Sequence, residues 1–298
     1  MRIGYPCINR TVECLGGKTF RLKSYSEKRL VEAVENNLRC LERVLRWNAE
    51  HGIGFFRISS DLVPFASHPV CTYPWERRFR ADFARIGRLI RRSRMRISMH
   101  PDQFVLINAV DEHIALNSVQ ELEYQVAVLD LLGLSCAAKI QVHVGGVYGD
   151  RDAAIERFAR RYRLLPEAVR RRLVIENDDV SYPVADCLRV HELTGVPVLF
   201  DSFHHAVNNR GEPLGAALAA CAKTWRRRDG IPMCDYSSQE PGGRRGKHAE
   251  HIDLADFRRF LRESRPADFD VMLEIKDKER SALAAIGAAA RDPRLAGP

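Results

Sequence analysis

Short apolar runs alternate with longer amphipathic stretches along the whole chain. Most of the runs are near-continuously apolar and rich in β-branched residues, which is typical of parallel strands covered on both faces. Eight runs of this type occur, at residues 2–8, 55–60, 96–100, 139–144, 173–176, 196–201, 231–235 and 270–275. The pattern therefore predicts eight buried strands.

Helical periodicity marks the segments between these runs. Ser24 and Glu27 form a predicted capping box that opens a helix ending at His51 and Gly52. Asp111 begins another helix, which stops at Gly133. Its apolar face is predicted to hold Ile114, Val119, Leu122, Val126 and Leu129. Further helices are predicted at residues 76–92, 152–163, 182–194, 214–225, 254–262 and 281–290.

Strand-type and helix-type segments alternate without a break in composition. A (β/α)8 barrel needs about 250 residues, and the chain has 298. We therefore predict an α/β fold, a (β/α)8 TIM barrel, that forms a single domain over residues 1–298. An open doubly wound sheet is the alternative, but no G-x-G-x-x-G motif follows the first strand.

The chain is basic, with a formal net charge of +8 and a pI of about 9.2, and arginine supplies most of the excess. A basic protein suits a polyanionic partner such as a nucleic acid. We interpret the arginines on the predicted helices as solvated surface. The Gly-Gly-Arg-Arg-Gly-Lys segment at residues 242–247 differs, because it follows the seventh strand. Arg244 and Arg245 are therefore expected on the face where the strands end.

Eight cysteines are spread from Cys7 to Cys234 without a C-x-x-C pair. We interpret them as small buried hydrophobic residues in a reducing compartment, rather than as a disulfide framework or a zinc–thiolate site. The N-terminus lacks the apolar region of a signal peptide, and no run approaches the ~18 apolar residues of a membrane span. The expectation is a cytoplasmic protein with no membrane partner.

Side chains that bind metals stand at or just beyond the ends of several predicted strands. These are His100, His143, Glu176, Asp201, His204, Asp235 and Glu274, while His68 and His248 lie in polar loops near two further run ends. In a parallel barrel all strands end at one face, where active sites form. An ionised carboxylate after an apolar strand is costly unless it is paired or metal-bound. The sequence therefore predicts a ring of N and O ligands.

Mixed imidazole and carboxylate ligands without thiolate suit Mn²⁺, Zn²⁺ or Mg²⁺. Clustered ions of this kind activate water and stabilise the leaving oxygen in phosphoryl transfer. Together with a basic face, this favours a nucleic-acid phosphodiester as the substrate. Two other classes stay open: a metal-dependent sugar isomerase on the same barrel, and a DNA-damage-binding protein whose catalysis is weakened or lost. A metal assay combined with a nicking assay separates the three.

Longer motifs follow one another along nearly the whole chain. They read Gly-Tyr-Pro-Cys-Ile-Asn at 4–9, Phe-Arg-Ile-Ser-Ser at 56–60, Ser-His-Pro at 67–69, Met-His-Pro-Asp-Gln at 99–103, Val-His-Val-Gly-Gly at 142–146, Ile-Glu-Asn-Asp at 175–178, Phe-Asp at 200–201 with His-His at 204–205, Tyr-Ser-Ser at 236–238, His-Ala-Glu-His at 248–251 and Met-Leu-Glu-Ile-Lys at 272–276. In these motifs the chain resembles the UV damage endonuclease family, a branch of the endonuclease IV-like barrels.

The resemblance implies a metal-dependent endonuclease that nicks DNA immediately 5′ to a lesion, typically a UV photoproduct. It implies up to three divalent ions, usually with manganese, because His68, His100, His143, Glu176, Asp201, His204, His248 and Glu274 match the family's ligands. It also implies that Tyr5 and Asn9 lie near the damaged nucleotides. Gln103 and Phe104 match a pair that probes the duplex at the lesion.

Three positions depart from the family's pattern. The family's seventh strand usually reads Lys-x-His-Tyr-Ser-Ser, but here Met233 replaces a lysine that can be carboxylated and Asp235 replaces a histidine ligand. Phe104 replaces the tyrosine of the probing pair. We expect Asp235 to bind a metal through oxygen and Met233 to carry no modification. Phe104 keeps a stacking face and loses a hydroxyl.

We predict a DNA repair endonuclease that acts as a monomer on damaged double-stranded DNA, in the cytoplasm and in association with the nucleoid. The predicted catalytic residues are Glu176, Asp201 and Glu274, which hold or bridge the ions. The predicted DNA and lesion contacts are Tyr5, Asn9, Gln103, Phe104, Arg244 and Arg245. A lesion that weakens base stacking lowers the cost of extruding bases from the duplex, so one pocket can accept several unlike lesions.

Overall fold

Eight parallel strands close into a barrel, in the order of the sequence, in the computed structural model, which describes residues 1–296. The strands are β1 Ile3–Pro6, β2 Phe55–Ile58, β3 Arg96–Met99, β4 Lys139–His143, β5 Leu173–Glu176, β6 Val198–Asp201, β7 Met233–Tyr236 and β8 Asp270–Leu273. β1 closes the barrel against β8, with Gly4 paired to Met272. The predicted (β/α)8 TIM barrel is confirmed. The last two residues of the predicted domain, 297 and 298, lie outside the described residues.

Helices connect the strands and cover the barrel. They are α1 Glu27–Glu50, α2 Trp75–Arg78, α3 Arg80–Arg92, α4 Glu112–Leu131, α5 Arg151–Leu164, α6 Glu167–Arg172, α7 Val184–Thr194, α8 Ser202–Val207, α9 Leu214–Ala222, α10 Leu254–Glu263 and α11 Glu279–Ala289. Short 3-10 turns occupy Leu22–Ser24, Ser60–Leu62 and Arg227–Asp229. Within residues 1–296, none of the helices combines the length and the apolar character that crossing a membrane requires.

Two strands begin two residues later than their apolar runs. β6 starts after Pro197 and β7 starts after Pro232, because proline has no N–H to donate to the strand ladder. The two proline carbonyls still accept hydrogen bonds, from the backbone N–H groups of Ile175 and Asp270. The C-terminal ends of the strands, which position the site, lie within two residues of the predicted ends.

Three details of the helices differ from the prediction. The predicted capping box at Ser24 is wrong: Ser24 lies in a 3-10 turn, and the Ser26 hydroxyl accepts the Arg29 N–H that caps α1. The helix predicted at 76–92 is interrupted at Phe79, whose backbone angles are φ −104° and ψ 9°. Ile114, predicted on the buried face of α4, is 41% exposed, and its neighbours Glu112 and His113 in the first turn of that helix are also exposed.

Side chains fill the barrel interior in layers. Near the N-terminal ends of the strands, Arg96 pairs with Asp270 and Lys139 pairs with Asp229. An apolar layer follows, made of Phe55, Val174, Leu199, Met233 and Met272. Strand side chains alternate, so residues two positions later face inward again. They are Arg57, Glu176, Asp201, Asp235 and Glu274, and together with Gln141 of β4 they make a polar layer at the C-terminal mouth of the barrel.

The cysteines do not all behave as buried, reduced residues, so that prediction is wrong in part. Cys14 and Cys40 form a disulfide, with Cα atoms 5.7 Å apart, because the loop after β1 folds back onto α1. Cys7, Cys71 and Cys136 are half-buried free thiols. The prediction is right for the remaining three cysteines, which are buried and free: Cys187, Cys221 and Cys234.

Candidate metal centre at the mouth of the barrel

Glu176 is the central carboxylate of the site. It is the last residue of β5 and is 2% exposed. Its Oε1 lies 2.8 Å from Nε2 of His143 and 3.2 Å from Nε2 of His100. The ligand atoms of these three residues lie within 4.8 Å of one another, and so do those of Glu176, Asp201 and Asp235. Glu176 therefore belongs to two overlapping groups, each of which could hold one cation.

Four histidine rings form an arc along one side of this cluster. The ring centroids are separated by 5.5 Å from His100 to His143, by 5.9 Å from His143 to His204, and by 5.9 Å from His204 to His248. Each ring comes from a different strand end or the loop that follows it. The strand order of the barrel thus assembles four imidazoles that are far apart in the sequence.

Backbone carbonyls fix the orientation of three of these rings. Nδ1 of His100 donates to the Pro101 carbonyl at 2.7 Å, and Nδ1 of His204 donates to the Asn177 carbonyl at 2.9 Å. Nδ1 of His248 likewise donates to a carbonyl at 2.9 Å, that of Glu274. A carbonyl only accepts hydrogen bonds, so a neutral ring carries its proton on Nδ1. The lone pair of that ring is then on Nε2. Metal-ligating histidines are held in this way.

Arg57 and Gln141 join the carboxylates of the polar layer, and the sequence analysis missed both. Arg57 is 3% exposed, forms an ion pair with Glu274, and donates to Asp235 Oδ2 at 2.7 Å. It also donates to the side-chain oxygen of Gln141 at 2.8 Å. Gln141 donates in turn to Asp235 Oδ2 at 2.6 Å and to Glu176. The available signal was a charged residue inside an apolar run, and an amide two positions before His143.

Asp235 has one engaged and one free oxygen. Its Oδ2 accepts from Arg57 and Gln141, whereas its Oδ1 is buried and has no hydrogen-bond partner among residues 1–296. A buried carboxylate oxygen without a partner is costly. Met233, two residues earlier, lies in the apolar layer beneath. The expectation that Asp235 binds a metal directly stays a prediction, and Oδ1 is the atom available for it.

The pKa shifts show a shortage of positive charge in the cluster. Burial alone would raise the pKa of Glu176, but His143 and His100 together outweigh burial and hold it well below its usual range. Burial opposes protonation of His143, yet Glu176 raises its pKa to about 9. Burial raises the pKa of Asp201 to about 6, and it raises the pKa of Asp235 well above the usual range despite Arg57. Protons thus supply charge that divalent cations would supply on binding.

The donor set fits divalent cations. Four carboxylates and four imidazoles meet at one mouth, and backbone carbonyls orient three of the imidazoles. No thiolate belongs to either group of ligand atoms. Carboxylate oxygen and imidazole nitrogen suit manganese, zinc and magnesium better than soft ions. The orphaned Oδ1 of Asp235 and the unpartnered Nδ1 of His143 are further buried atoms that need a partner. The residues present can therefore hold metal ions.

Three predicted site residues stand apart from this cluster. His68 is exposed, and within the described chain its hydrogen bond and ring contact are with Val70 and Phe65 of its own loop. Tyr5 is fully buried, and its hydroxyl donates to Asn48 and accepts from Asn9. Asn9 is 4% exposed and caps the backbone of the loop after β1. Contact of Tyr5 or Asn9 with DNA thus requires this loop to move.

The other predicted DNA contacts lie at the surface. Phe104 is 66% exposed and Gln103 beside it is also exposed, in the loop between β3 and α4. Phe104 therefore does not pack in the core. Arg244 and Arg245 are exposed on a turn that begins with the pairing of Gln239 to His248, although the Arg245 guanidinium also donates to the Val207 carbonyl.

Comparison with known proteins identifies close relatives. Residues 1–289 match the family described as UV-endonuclease UvdE. The UV DNA damage endonuclease of Clostridium perfringens is 33% identical over 288 residues, which is 96% of this chain and 70% of that protein. The protein of the same name from Bacillus thuringiensis subsp. konkukian is 33% identical over 293 residues, covering 95% of this chain and 92% of that protein.

Solved structures also match over most of this chain. The crystal structure of SacUVDE superposes with a TM-score of 0.94 at 43% identity, and the match covers 99% of this chain and 100% of that one. A D-psicose 3-epimerase from Clostridium cellulolyticum superposes with a TM-score of 0.56 at 12% identity, over 84% of this chain and 92% of that one. The latter likeness concerns the barrel fold alone.

Proposed function

Because this chain belongs to the UV-endonuclease UvdE family, we propose that it is a metal-dependent endonuclease that cuts damaged double-stranded DNA immediately 5′ to a UV photoproduct. The observation that carries the metal dependence is the convergence of two ligand groups on Glu176 at the barrel mouth. Lysine and arginine outnumber aspartate and glutamate, so the chain has a net charge of +8, which suits a polyanionic duplex.

The proposed ligands are the carboxylates and imidazoles of the cluster. They are His100, His143, Glu176, Asp201, His204, Asp235, His248 and Glu274, with His68 joining if its loop closes over the mouth. We propose manganese, with up to three ions, while zinc and magnesium are the other outcomes of a metal analysis. Divalent ions held there activate water and neutralise charge that develops on phosphate oxygens.

The residues of this chain position the reactants. Glu176, Asp201 and Glu274 are the proposed catalytic carboxylates, and Arg57 holds Glu274 and Asp235 in place from below. Backbone carbonyls fix the rings of His100, His204 and His248. Because a photoproduct weakens stacking, less free energy is needed to extrude the damaged bases toward the mouth than to extrude normal bases.

Metal dependence is tested on ultraviolet-irradiated supercoiled plasmid. The purified protein is expected to convert irradiated plasmid to the nicked form, to lose this activity in EDTA, and to regain it with excess Mn²⁺. Unirradiated plasmid is the substrate control. Nicking that persists in EDTA would contradict the metal-dependent mechanism.

Two other functions give different results in the same samples. The ligand types at the strand ends also suit a metal-dependent sugar isomerase, which is the second candidate. Such an enzyme would isomerise a sugar with Mn²⁺ and leave irradiated plasmid intact. A damage-binding homologue with lost catalysis would retain irradiated plasmid on a filter without nicking it.

Asp235 is expected to bind manganese through Oδ1 while Oδ2 remains on Arg57 and Gln141. A crystal grown with Mn²⁺ should show an anomalous-scattering peak at bonding distance from Oδ1. Asp229 is a matched control in the same crystal, because it is a buried carboxylate at the other end of the barrel that already pairs with Lys139. An Asp235 side chain turned away from every manganese peak would refute this assignment.

Phe104 is expected to contribute to damage recognition rather than to stability. An exposed aromatic beside the mouth can stack in the gap left by extruded bases, which is worth about 1–3 kcal/mol, or roughly 5- to 150-fold in affinity. Phe104→Ala should therefore weaken binding to a photoproduct duplex by that factor and leave the melting temperature and undamaged-duplex binding unchanged. Leu164→Ala, at a position 84% exposed at the end of α5, is the matched control. An unchanged preference for damaged duplex in Phe104→Ala would exclude the stacking role.

A further inference from the structure

Lys278 has a backbone conformation that is unfavourable for lysine. It lies in the loop after β8, four residues beyond Glu274, at φ 59° and ψ −116°. A residue with a Cβ rarely adopts a positive φ outside the left-handed helical region, and glycine does so freely. Such conformations persist only where the surrounding structure enforces them, and they cluster at functional sites.

Both neighbours of Lys278 are anchored, which enforces this conformation. The Asp277 carboxylate lies 2.9 Å from Nδ1 of His251 and accepts from the Ser281 hydroxyl. Glu279 is fully buried and accepts from the Arg10 backbone N–H at 2.9 Å and from the Thr11 hydroxyl at 2.8 Å. The loop after β8 is thus fastened to the loop after β1, and Lys278 has little freedom to relax.

The Lys278 ammonium has no carboxylate of its own. Within residues 1–296, no carboxylate lies within 4.0 Å of its Nζ, while the nearby Glu274 already pairs with Arg57. Lys278 lies in the loop that follows the C-terminal end of β8, the end of the barrel where the metal-ligand cluster lies. The side chain is half-buried, and burial lowers the pKa of the amine.

We propose that the Lys278 ammonium contacts a non-bridging oxygen of the phosphodiester that the enzyme cuts. This inference rests on the proposed function. A lysine ammonium is a point charge well suited to phosphate oxygen, and in a partly dehydrated site such a donor strongly stabilises charge that develops during the reaction. The loop after β8 places Lys278 at the mouth end of the barrel, and without a carboxylate partner among residues 1–296 its charge is free for the substrate.

The test compares Lys278→Gly with a control two residues away. Lys276 is the control because its ammonium pairs with Glu250 at 2.6 Å on the surface. Glycine relieves the backbone strain, so Lys278→Gly should raise the melting temperature of the metal-free protein. It should nevertheless lower kcat on a photoproduct duplex about 100-fold. Lys276→Ala should keep the wild-type kcat, and Lys278→Arg, which keeps the charge, should recover most of the activity that glycine loses.

A second measurement does not depend on turnover. Calorimetric titration of the manganese-loaded protein with inorganic phosphate should show at least tenfold weaker binding for Lys278→Gly than for wild type or Lys276→Ala, with equal Mn²⁺ binding in all three. Phosphate affinity equal to wild type in Lys278→Gly would overturn the proposal, as would an unchanged kcat. If wild type itself fails to nick, the proposed function fails, and the phosphate titration still decides the role of Lys278.

Discussion

Glu176→Gln is expected to lower the rate of nicking of a photoproduct duplex at least about 100-fold. Loss of an indirect partner of a metal ligand already costs about 10- to 100-fold, and Glu176 is shared by both groups of ligand atoms. The amide keeps the size of the side chain but carries one acceptor oxygen instead of a carboxylate. Calorimetric titration with Mn²⁺ should show weaker binding or fewer bound ions than in wild type.

Glu42→Gln is the matched control for this variant. Glu42 is a half-buried glutamate of α1 that pairs with Arg46 and Arg85 on the outside of the barrel. It should nick and bind Mn²⁺ as wild type does. Wild-type nicking by folded Glu176→Gln, with wild-type Mn²⁺ stoichiometry, would remove Glu176 from the centre of the mechanism.

Arg57→Met is expected to destabilise the metal-free protein by about 3–5 kcal/mol, because removal of one partner leaves buried charge uncompensated. Asp235 has no exposed surface and Glu274 is largely buried, and both pair with Arg57. In wild type, burial raises the pKa of Glu274, but Arg57, together with His248 and His100, holds it at about 2. Denaturant unfolding in EDTA measures the loss, provided that the denaturant dependence of the unfolding free energy is unchanged.

Metal ions should partly replace the missing guanidinium. Mn²⁺ is therefore expected to raise the melting temperature of Arg57→Met by more than it raises that of wild type. The double variant with Glu274→Gln should recover part of the lost stability, because it removes the carboxylate that Arg57 keeps ionised. Arg85→Met is the control, since Arg85 forms exposed ion pairs with Asp82 and Glu42. Equal stability of Arg57→Met and Arg85→Met in EDTA would contradict this role of Arg57.

The sequence predicted the barrel and most of the cluster because both depend on strand ends. A residue such as Glu176, placed directly after three apolar residues, must lie at the C-terminal mouth once the strand is parallel to its neighbours. His143 and Asp201 also end strands, and they were predicted at the mouth for the same reason. The structure brings them together with Glu176. Their function as ligands remains a prediction that the manganese experiments test.

The features that the sequence did not predict depend on contacts between residues that are distant in the sequence. Arg57 has a role at the mouth only because β7 and β8 supply Asp235 and Glu274, and the apolar run around Arg57 carries no sign of them. The Cys14–Cys40 disulfide depends on how the loop after β1 folds onto α1. The strain at Lys278 likewise arises from anchors in other loops, which hydrophobic periodicity does not encode.

The most direct test of the central claim uses a duplex that carries one defined pyrimidine dimer, labelled at the 5′ end of the damaged strand. The purified protein is incubated with Mn²⁺, and the product length is read at single-nucleotide resolution beside an undamaged duplex of the same sequence. We predict a single cut immediately 5′ to the dimer, absent with EDTA and absent from the undamaged duplex. Cleavage on the 3′ side, equal cutting of both duplexes, or an intact damaged strand with Mn²⁺ present would contradict the account.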